Sequence, residues 1–274
     1  MTCQIMLESG KIITSQPVRI TVHAGFPDQN HFTIYPNRYV FPIYDWYHFP
    51  SVSQPKFTVA IGDTFSNPVP IGTAVYFHTQ AGLIETGQSD FTAYTDKDGF
   101  ATVNLWTVNP LPDALPYYDN TVLAGRVGGE WVWAQTQGRE GKKIIDSVFV
   151  VWNMNQIVIR QLPVLIDMPK HGQSALFTLE VTDANRNPLC DGTTITAAFV
   201  IPPGTSGVAF DTYGEIPALI PNSPAARFPG HGLTLFNFGV TDNSTADVGA
   251  TTCRITITSP FFGTATVAIP VSLH

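Results

Sequence analysis

Residues 57–73 read FTVAIGDTFSNPVPIGT, and residues 177–193 read FTLEVTDANRNPLCDGT. At a constant offset of 120 residues, seven of these seventeen positions are identical. In the first stretch the identical residues are Phe57, Thr58, Asp63, Asn67, Pro68, Gly72 and Thr73. Self-similarity at a fixed period is typical of an array of like domains. The sequence therefore predicts at least two copies of one structural unit.

The two ends of the chain also resemble each other. Residues 2–25 read TCQIMLESGKIITSQPVRITVHAG, and residues 252–274 read TCRITITSPFFGTATVAIPVSLH. We therefore expect the opening residues to be the final hairpin of a preceding, truncated copy. The predicted units are this hairpin over 1–27, a first complete domain with an aromatic-rich lead-in over 28–153, and a more divergent domain over 154–274. Each complete unit has the usual size of an independent domain.

The composition disfavours some classes of binding partner. Charged residues make up 13% of the 274 residues, and 14 basic against 21 acidic residues give a net charge of −7. An acidic surplus disfavours nucleic acid and anionic membrane surfaces as partners. The sequence contains no apolar run of about 18 residues, so no membrane span is predicted. The first residues lack the basic and apolar regions of a signal peptide, but a truncated start would explain this.

Apolar residues alternate with polar ones in several segments, which predicts half-buried strands. Phe57–Ile61 and Phe177–Val181 both alternate in this way, and so does the segment 101–105. Asn-Pro pairs at 67–68 and 187–188 are typical of turns between strands. Glycines at 128–129 and at 138 and 141 bracket the segment Glu130–Gln137, and strands near Trp131–Gln135 and Lys143–Val151 are predicted to form a hairpin. Many short strands with turns between them predict an all-β fold of β-sandwiches.

The first copy resembles bacterial immunoglobulin-like domains of the invasin/intimin type. Their pattern of a D-x-x-G-N-P-V turn, x-G-T-x-V-x-F, G-x-I and T-D-x-x-G-x-A-x-V is matched by Asp63, Asn67, Pro68, Val69, Gly72, Thr73, Val75, Phe77, Gly82, Thr95, Asp96, Gly99, Ala101 and Val103. Ser66 stands where the family often has glycine. The second copy keeps the pattern from Asp183 to Phe199 and then has FPGHGLTLFNFGV at 228–240 in place of the T-D-x-x-G-x-A element. The resemblance implies tandem Ig-like Greek-key β-sandwiches, which occur in secreted or surface-anchored bacterial proteins as structural or adhesive modules.

The chain has three cysteines: Cys3, Cys190 and Cys253. Cys3 and Cys253 occupy equivalent places in the two TC motifs, and Pro70 stands at the place of Cys190 in the middle copy. We expect a disulfide between Cys190 and Cys253, with Cys3 left without its partner. Such a bond indicates an oxidising compartment. The alternative is three free thiols that act as small hydrophobic residues.

Two groups of oxygen ligands are spaced two residues apart, as in calcium loops. They are Asp96 with Asp98, and Asp183 with Asn185 and Asn187. Neither group has the bidentate glutamate at the twelfth position of an EF-hand loop. Asp and Asn are also ordinary turn residues, and turn formation is the favoured interpretation. We therefore expect no cofactor, with Ca²⁺ at Asp96 and Asp98 as the alternative.

The densest unusual feature is an aromatic run in the lead-in to the first copy. Its members are Tyr35, Tyr39, Phe41, Tyr44, Trp46, Tyr47 and Phe49. Three interpretations fit: packing within or between domains, contact with another protein chain, or stacking on the sugar rings of a glycan. Trp131, Trp133 and Trp152 lie on predicted strands, so we expect them in the core or at a domain junction.

No motif in the sequence indicates catalysis. A G-x-S-x-G elbow and a glycine-rich phosphate loop are absent, and the seven histidines lack zinc-site spacing. The favoured hypothesis is a non-enzymatic array of structural or adhesive modules, the C-terminal part of a multi-domain extracellular bacterial protein. Its partners would be other chains, neighbouring domains or a glycan. The alternatives are a carbohydrate-binding accessory module and a self-assembling filament or sheath subunit.

Overall fold

A computed structural model describes residues 2–17, 24–43, 54–85, 87–112, 127–153, 156–168, 174–246 and 250–273. These residues fold into strands and three single-turn 3₁₀ helices, at Gln29–His31, Arg139–Gly141 and Pro224–Arg227. The strands are β1 (Gln4–Met6), β2 (Ile12–Thr14), β3 (Phe32–Pro36), β4 (Val40–Pro42), β5 (Lys56–Ile61), β6 (Ala74–Thr79), β7 (Leu83–Ile84), β8 (Asp90–Tyr94), β9 (Phe100–Trp106), β10 (Gly129–Gln137), β11 (Lys143–Asn153), β12 (Val158–Arg160), β13 (Ile166–Met168), β14 (Ser174–Thr182), β15 (Thr194–Val200), β16 (Phe210–Gly214), β17 (Ala218–Leu219), β18 (Leu235–Asp242), β19 (Ala250–Ser259) and β20 (Gly263–Leu273).

The strands form two sandwiches with the same sheet orders. In the first sandwich a four-stranded sheet, β3-β5-β9-β7, faces a five-stranded sheet, β4-β11-β10-β6-β8. The second has β12-β14-β18-β16 and β13-β20-β19-β15-β17. In each, a short strand pairs in parallel with the last strand, β4 with β11 and β13 with β20. The fold is all-β, with tandem Ig-like Greek-key β-sandwiches, as the sequence predicts.

The apolar side chains of the predicted alternating strands fill the cores of the two sandwiches. In β5, Phe57, Val59 and Ile61 are all buried, and they pack in one apolar cluster with Val75 and Phe77 of β6. The second sandwich has a separate core that includes Leu179 and Val181 of β14, Phe236 and Phe238 of β18, and Cys253 of β19. The 57–61 alternation is confirmed, and burial of one face of each sheet is its physical cause.

The repeated turn has the same geometry in both copies. Oδ1 of Asp63 accepts hydrogen bonds from the backbone N–H groups of Phe65 and Asn67, both at 2.9 Å. Ser66 in this turn has φ 65°, and the equivalent Arg186 has φ 64°. Glycine adopts this left-handed region without steric cost, so this position of the turn is one at which glycine would be favoured on backbone grounds.

The hairpin predicted from Trp131–Gln135 and Lys143–Val151 is present, and the opening residues contain a separate two-stranded hairpin. Strands β10 and β11 pair antiparallel over the whole length of β10, with Trp133 opposite Ser147. Strands β1 and β2 form a two-stranded sheet of their own, with Ile5 opposite Ile13. Both of these isoleucines are exposed. Among the described residues no helix has the length and apolar character needed to span a membrane.

Candidate functional site at the junction of the sandwiches

Strand β11 contributes side chains both to the core of the first sandwich and to its contact with the second, which is called the junction below. Its C-terminal half, residues 148–152, reads VFVVW and is buried throughout. Val148, Val150 and Trp152 belong to the core of the first sandwich. Phe149 and Val151 point the other way, into a third apolar cluster. A continuous apolar run is typical of a strand covered on both faces, and here the second cover comes from the other sandwich.

This third cluster, called the junction cluster below, joins residues of both sandwiches. Its fully buried members are Val40, Phe149, Val151, Cys190 and Ala226, and its partly buried members are Trp131, Phe228, Leu233, Phe261 and Phe262. Aromatic rings of the two sandwiches are in contact, since Phe149 of the first stacks on Phe228 of the second with ring centroids 6.4 Å apart. The two sandwiches therefore share a buried apolar contact rather than meeting only at a linker.

Arg38, just before β4, reaches from the first sandwich to the second. Its Nε lies 3.0 Å from Oδ1 of Asp191, and its guanidinium lies 4.8 Å from the centre of the Phe261 ring. Burial raises the pKa of Asp191 above its ordinary value, and the positive charge of Arg38 opposes that shift. An ion pair that is half removed from water resists separation, because breaking it leaves a poorly solvated charge.

Arg227 makes the reciprocal contact from the second sandwich to the first. Its NH1 donates a 2.8 Å hydrogen bond to the carbonyl oxygen of Phe149, and its guanidinium lies 5.2 Å from the centre of the Tyr39 ring. Burial lowers the pKa of Arg227 from its ordinary value. Each sandwich thus contributes one arginine whose charged end packs on an aromatic ring of the other.

Side-chain amides complete the junction by bonding to backbone groups of the opposite sandwich. Nδ2 of Asn222 donates to the carbonyl of Asn37 at 2.9 Å. Nδ2 of Asn153 donates to the carbonyl of Pro188 at 2.8 Å. A backbone acceptor has a fixed position, so such bonds set the register between two domains more closely than contacts between two flexible side chains.

The repeated turn has a matching role in both copies, since each turn holds the segment that precedes it. In the first copy, Oδ2 of Asp63 accepts a 3.0 Å hydrogen bond from the N–H of Gly25. This bond, together with those from Asn67 and Phe65, lowers the pKa of Asp63 to about 2. In the second copy, Nδ2 of Asn187 donates at 2.9 Å to the carbonyl of Val127 in the first sandwich. A Cβ on Gly128 would lie 2.5 Å from Nδ2 of Asn187, so only glycine permits this approach.

The aromatic run divides among different environments. Phe41 is fully buried in the first core, with its ring centroid 5.9 Å from that of Trp152. Tyr39 packs partly against that core and lies beside Arg227, whereas Tyr35 is exposed. The other members lie outside the described residues: Tyr44, Trp46, Tyr47 and Phe49. The three described members therefore do not form one continuous surface.

The candidate calcium ligands are engaged in turns. Oδ1 of Asp96 accepts from the backbone N–H groups of Asp98 and Phe100, at 2.9 and 3.0 Å, and these bonds hold the pKa of Asp96 below its ordinary value. Asp98 pairs with Lys97 at 2.8 Å. Within the described part of the chain, no three His, Cys, Asp or Glu side chains cluster as metal ligands do. Calcium binding at Asp96 and Asp98 stays an untested prediction.

The predicted disulfide between Cys190 and Cys253 is not formed. Both residues are buried free cysteines, and Cys3 is an exposed free cysteine. Cys253 points into the core of the second sandwich, whereas Cys190 lies in the junction cluster. The repeat gives the position of each cysteine in the sequence but not the direction in which its side chain points. The oxidising compartment, which was inferred from this bond, loses that support.

Thiol titration should separate these two classes of cysteine. Burial raises the pKa values of Cys190 and Cys253, the latter to about 11, so neither forms the reactive thiolate at neutral pH. We expect one reactive thiol, Cys3, in the native protein, and three after unfolding under non-reducing conditions. Only one reactive thiol after unfolding would show that the Cys190–Cys253 bond exists after all.

A buried carboxyl group lies behind the junction, in the first core. Oε1 of Glu130 accepts a 2.6 Å hydrogen bond from the indole N–H of Trp152, and Oε2 accepts one from the N–H of Ala81 at 2.9 Å. Burial raises the pKa of Glu130 to about 7, although these bonds and that of Thr79 oppose the shift. Glu130 was not among the candidates from sequence, since one glutamate in a strand carries no local signal of its burial.

The sequence also gave no indication of the two junction arginines. Arg38 and Arg227 lie 189 positions apart in the chain, and neither belongs to the repeated motif. Asn187 could have been found, because it is one of the seven repeated identities. Its contact with the preceding domain required the structure, since the equivalent Asn67 bonds only within its own turn in the contacts described.

Comparisons with known proteins found no matching family model and no matching curated protein. Among solved structures, the chain is similar to the Yersinia pseudotuberculosis adhesin InvE at 12% identity and a TM-score of 0.31, covering 90% of this chain and 60% of that one. The chain thus spans under two thirds of the InvE structure. It is also similar to the D0–D1 domain of intimin at 9% identity and a TM-score of 0.30, covering 88% of this chain and 97% of that one. Its similarity to domains 4 and 5 of the S-layer protein SbsC has 15% identity and a TM-score of 0.29, covering 91% of this chain and 99% of that one. Similarities this low carry no argument about ligand or activity.

Proposed function

We propose that this chain is a non-enzymatic structural or adhesive module array in which the junction holds two Ig-like sandwiches at a fixed angle. The observation that carries the proposal is the two-sided burial of β11, whose Phe149 and Val151 are covered by the second sandwich. Tandem domains that move relative to each other need only a solvated linker between them. A buried apolar cluster with reciprocal arginines instead favours one relative orientation.

The polar contacts support a fixed orientation because they act at several points around the cluster. Arg38, Arg227, Asn153, Asn187 and Asn222 each bind a group of the opposite sandwich. Rotation about the linker would break these contacts together and would expose apolar rings to water. Losing these polar contacts and the apolar contact together would cost more free energy than thermal fluctuations provide. The angle between the two sandwiches would therefore rarely change.

We further propose that the array belongs to a larger surface-exposed or secreted bacterial protein. The motif residues that resemble invasin/intimin-type domains support this proposal. The β1–β2 hairpin supports it independently. In the second sandwich, Ile255 and Ile257 of the matching TC segment are fully buried, whereas Ile5 of the hairpin is exposed. We propose that the hairpin belongs to a further sandwich, whose opposite sheet would cover that apolar face.

Distance measurements by pulsed electron paramagnetic resonance test the fixed angle. Spin labels would be attached at the exposed positions of Tyr94→Cys and Leu176→Cys, one in each sandwich, in a Cys3→Ser background. The native buried cysteines do not react, for the reasons given above. We expect Arg227→Ala to broaden the interspin distance distribution, because a hydrogen bond from a charged donor contributes about 2 kcal/mol.

The control is Arg139→Ala, which removes an exposed arginine from the β10–β11 turn, away from the junction contacts. Its distribution should match that of the parent. If Arg227→Ala leaves the distribution unchanged, or if both variants broaden it equally, Arg227 does not hold the sandwiches together.

A further inference from the structure

The outer face of the five-stranded sheet in the first sandwich carries a group of aromatic and polar side chains that the junction does not use. Across the sheet, His78 of β6 lies between Asp90 of β8 and Trp133 of β10. One step along, Tyr76 lies opposite Gln135. Side chains at alternate positions of a strand share a face, so these five residues project from the same side of the sheet.

These side chains surround a shallow cleft of about 460 Å³. Its lining includes Tyr76, His78, Asp90, Trp133, Gln135 and Lys143. Tyr76 is 45% exposed, and Trp133 is partly exposed, so both rings present accessible surface. The cleft therefore combines flat apolar area with a few polar groups at its border, as small-ligand sites do.

The polar border is held in place by contacts within the sheet. Nδ1 of His78 lies 2.8 Å from Oδ1 of Asp90, and the His78 ring centroid lies 5.5 Å from that of Trp133. Oδ2 of Asp90 also accepts a 3.1 Å hydrogen bond from the hydroxyl of Ser89. A carboxylate oriented by two neighbours loses little entropy when a further hydroxyl donates to it.

A second cleft continues the first toward the edge strand β8. Its volume is about 510 Å³, and it shares Tyr76, Phe77, Asp90 and Gln135 with the first. Gln88 and Thr92 add further polar groups to its lining. The exposed ring of Tyr76 therefore stands between two adjoining depressions. A ligand that fills both must extend across the Tyr76 ring.

We propose that this pair of clefts binds a neutral polysaccharide, with sugar rings stacked on Trp133 and Tyr76 and their hydroxyl groups bonded to Asp90 and Gln135. A pyranose ring has an apolar C–H face and a hydroxyl edge, which match an aromatic ring with polar groups beside it. Tyr and Trp offer this rigid amphipathic area at low entropic cost.

The charges at the clefts favour a neutral chain over an anionic one. Lys143 is the one lysine or arginine among the lining residues of the two clefts, and Asp90 is their one carboxylate. The His78 contact partly occupies that carboxylate. Recognition of a polyanion generally uses several arginines or lysines in one patch, and the residues lining these clefts do not form one.

The site is also continuous with the junction. Trp131 lies two positions before Trp133 on β10 and so shares its face, and its ring lies 5.4 Å from that of Phe149 in the junction cluster. One aromatic band therefore runs from the clefts to the second sandwich. Binding at the clefts rests on residues different from those of the fixed angle, so either proposal can fail alone.

Affinity electrophoresis of the full chain tests the site. The probes are three soluble neutral polysaccharides, hydroxyethyl cellulose, laminarin and galactomannan, together with the anionic polysaccharide alginate. We expect at least one neutral probe to retard the protein. Trp133→Ala and Tyr76→Ala should each weaken that association at least about tenfold, and alginate should bind less well than the neutral probe.

The matched control is Tyr35→Ala, because Tyr35 is 41% exposed and lies on β3 of the other sheet. It should bind as the parent does. The proposal is overturned if no neutral probe retards the parent, or if Tyr35→Ala loses as much affinity as Tyr76→Ala. Sedimentation that shows a dimer broken by Trp133→Ala would also overturn it, since the face would then be covered by a second copy.

Discussion

Replacing Trp152 with alanine is expected to lower the free energy of unfolding of the first sandwich by at least about 4 kcal/mol. The side chain is fully buried, and it packs beside Phe41 and directly on Gly82. Alanine would leave a large cavity between the sheets. The substitution would also remove the indole N–H that bonds to Oε1 of Glu130.

Chemical denaturation followed by tryptophan fluorescence measures this effect selectively. All five tryptophans lie in the first 153 residues, at positions 46, 106, 131, 133 and 152. The signal therefore reports mainly on the first sandwich, with Trp131 alone at the contact with the second among the described tryptophans. Trp133→Ala is the matched control, because its ring lies on the outer face, and we expect it to cost below about 1.5 kcal/mol. Equal losses in the two variants would contradict the described core.

The second large effect is a dependence of stability on pH that comes from Glu130. The pKa of this carboxyl is raised from 4.5 to about 7 in the folded protein. Below pH 4.5 both the folded and the unfolded states hold the proton. Between pH 4.5 and 7 the unfolded state releases it first, so the free energy of unfolding falls as the pH rises. The total loss is about 3 kcal/mol.

Burial is what favours the neutral carboxyl, and the hydrogen-bond partners around it can also accommodate the protonated form. Oγ1 of Thr79 lies 2.6 Å from the carbonyl of Ala81 and 2.7 Å from Oε2 of Glu130. A hydroxyl has one proton and can donate to only one of these acceptors. When Oε2 is protonated, it donates to Thr79, and Thr79 donates to Ala81. Every polar group in the network then has a partner.

Glu130→Gln provides the test, because glutamine keeps the shape and does not titrate in this range. The free energy of unfolding would be measured in urea at several pH values between 4 and 8 for both proteins. We expect the difference between the parent and the variant to change by about 3 kcal/mol across this window. A difference that stays constant with pH would show that Glu130 is not neutral in the core.

The local parts of the fold could be predicted from the sequence. Phe57, Val59 and Ile61 alternate because one face of β5 is buried, and that constraint is visible in consecutive residues. The turn at Asp63 and Asn67 could be predicted for a similar reason, since Oδ1 of Asp63 accepts from backbone groups within four residues.

The junction could not be predicted, because its contacts connect residues that are distant in the chain. The apolar run at 148–152 indicates a strand buried on both faces, but it does not identify what covers the second face. Cys190 is the clearest example. Its place in the repeat suggested a partner in its own domain, whereas its side chain packs against the preceding sandwich.

The fixed angle between the sandwiches is tested most directly by the interspin distance distribution of the doubly labelled protein, using the two copies of the repeated asparagine. Asn187 bonds to the preceding sandwich, whereas its equivalent Asn67 bonds within its own turn. The parent and Asn67→Ala should both give one narrow peak, and Asn187→Ala should give a broader distribution. A broad distribution in the parent itself would contradict a rigid junction.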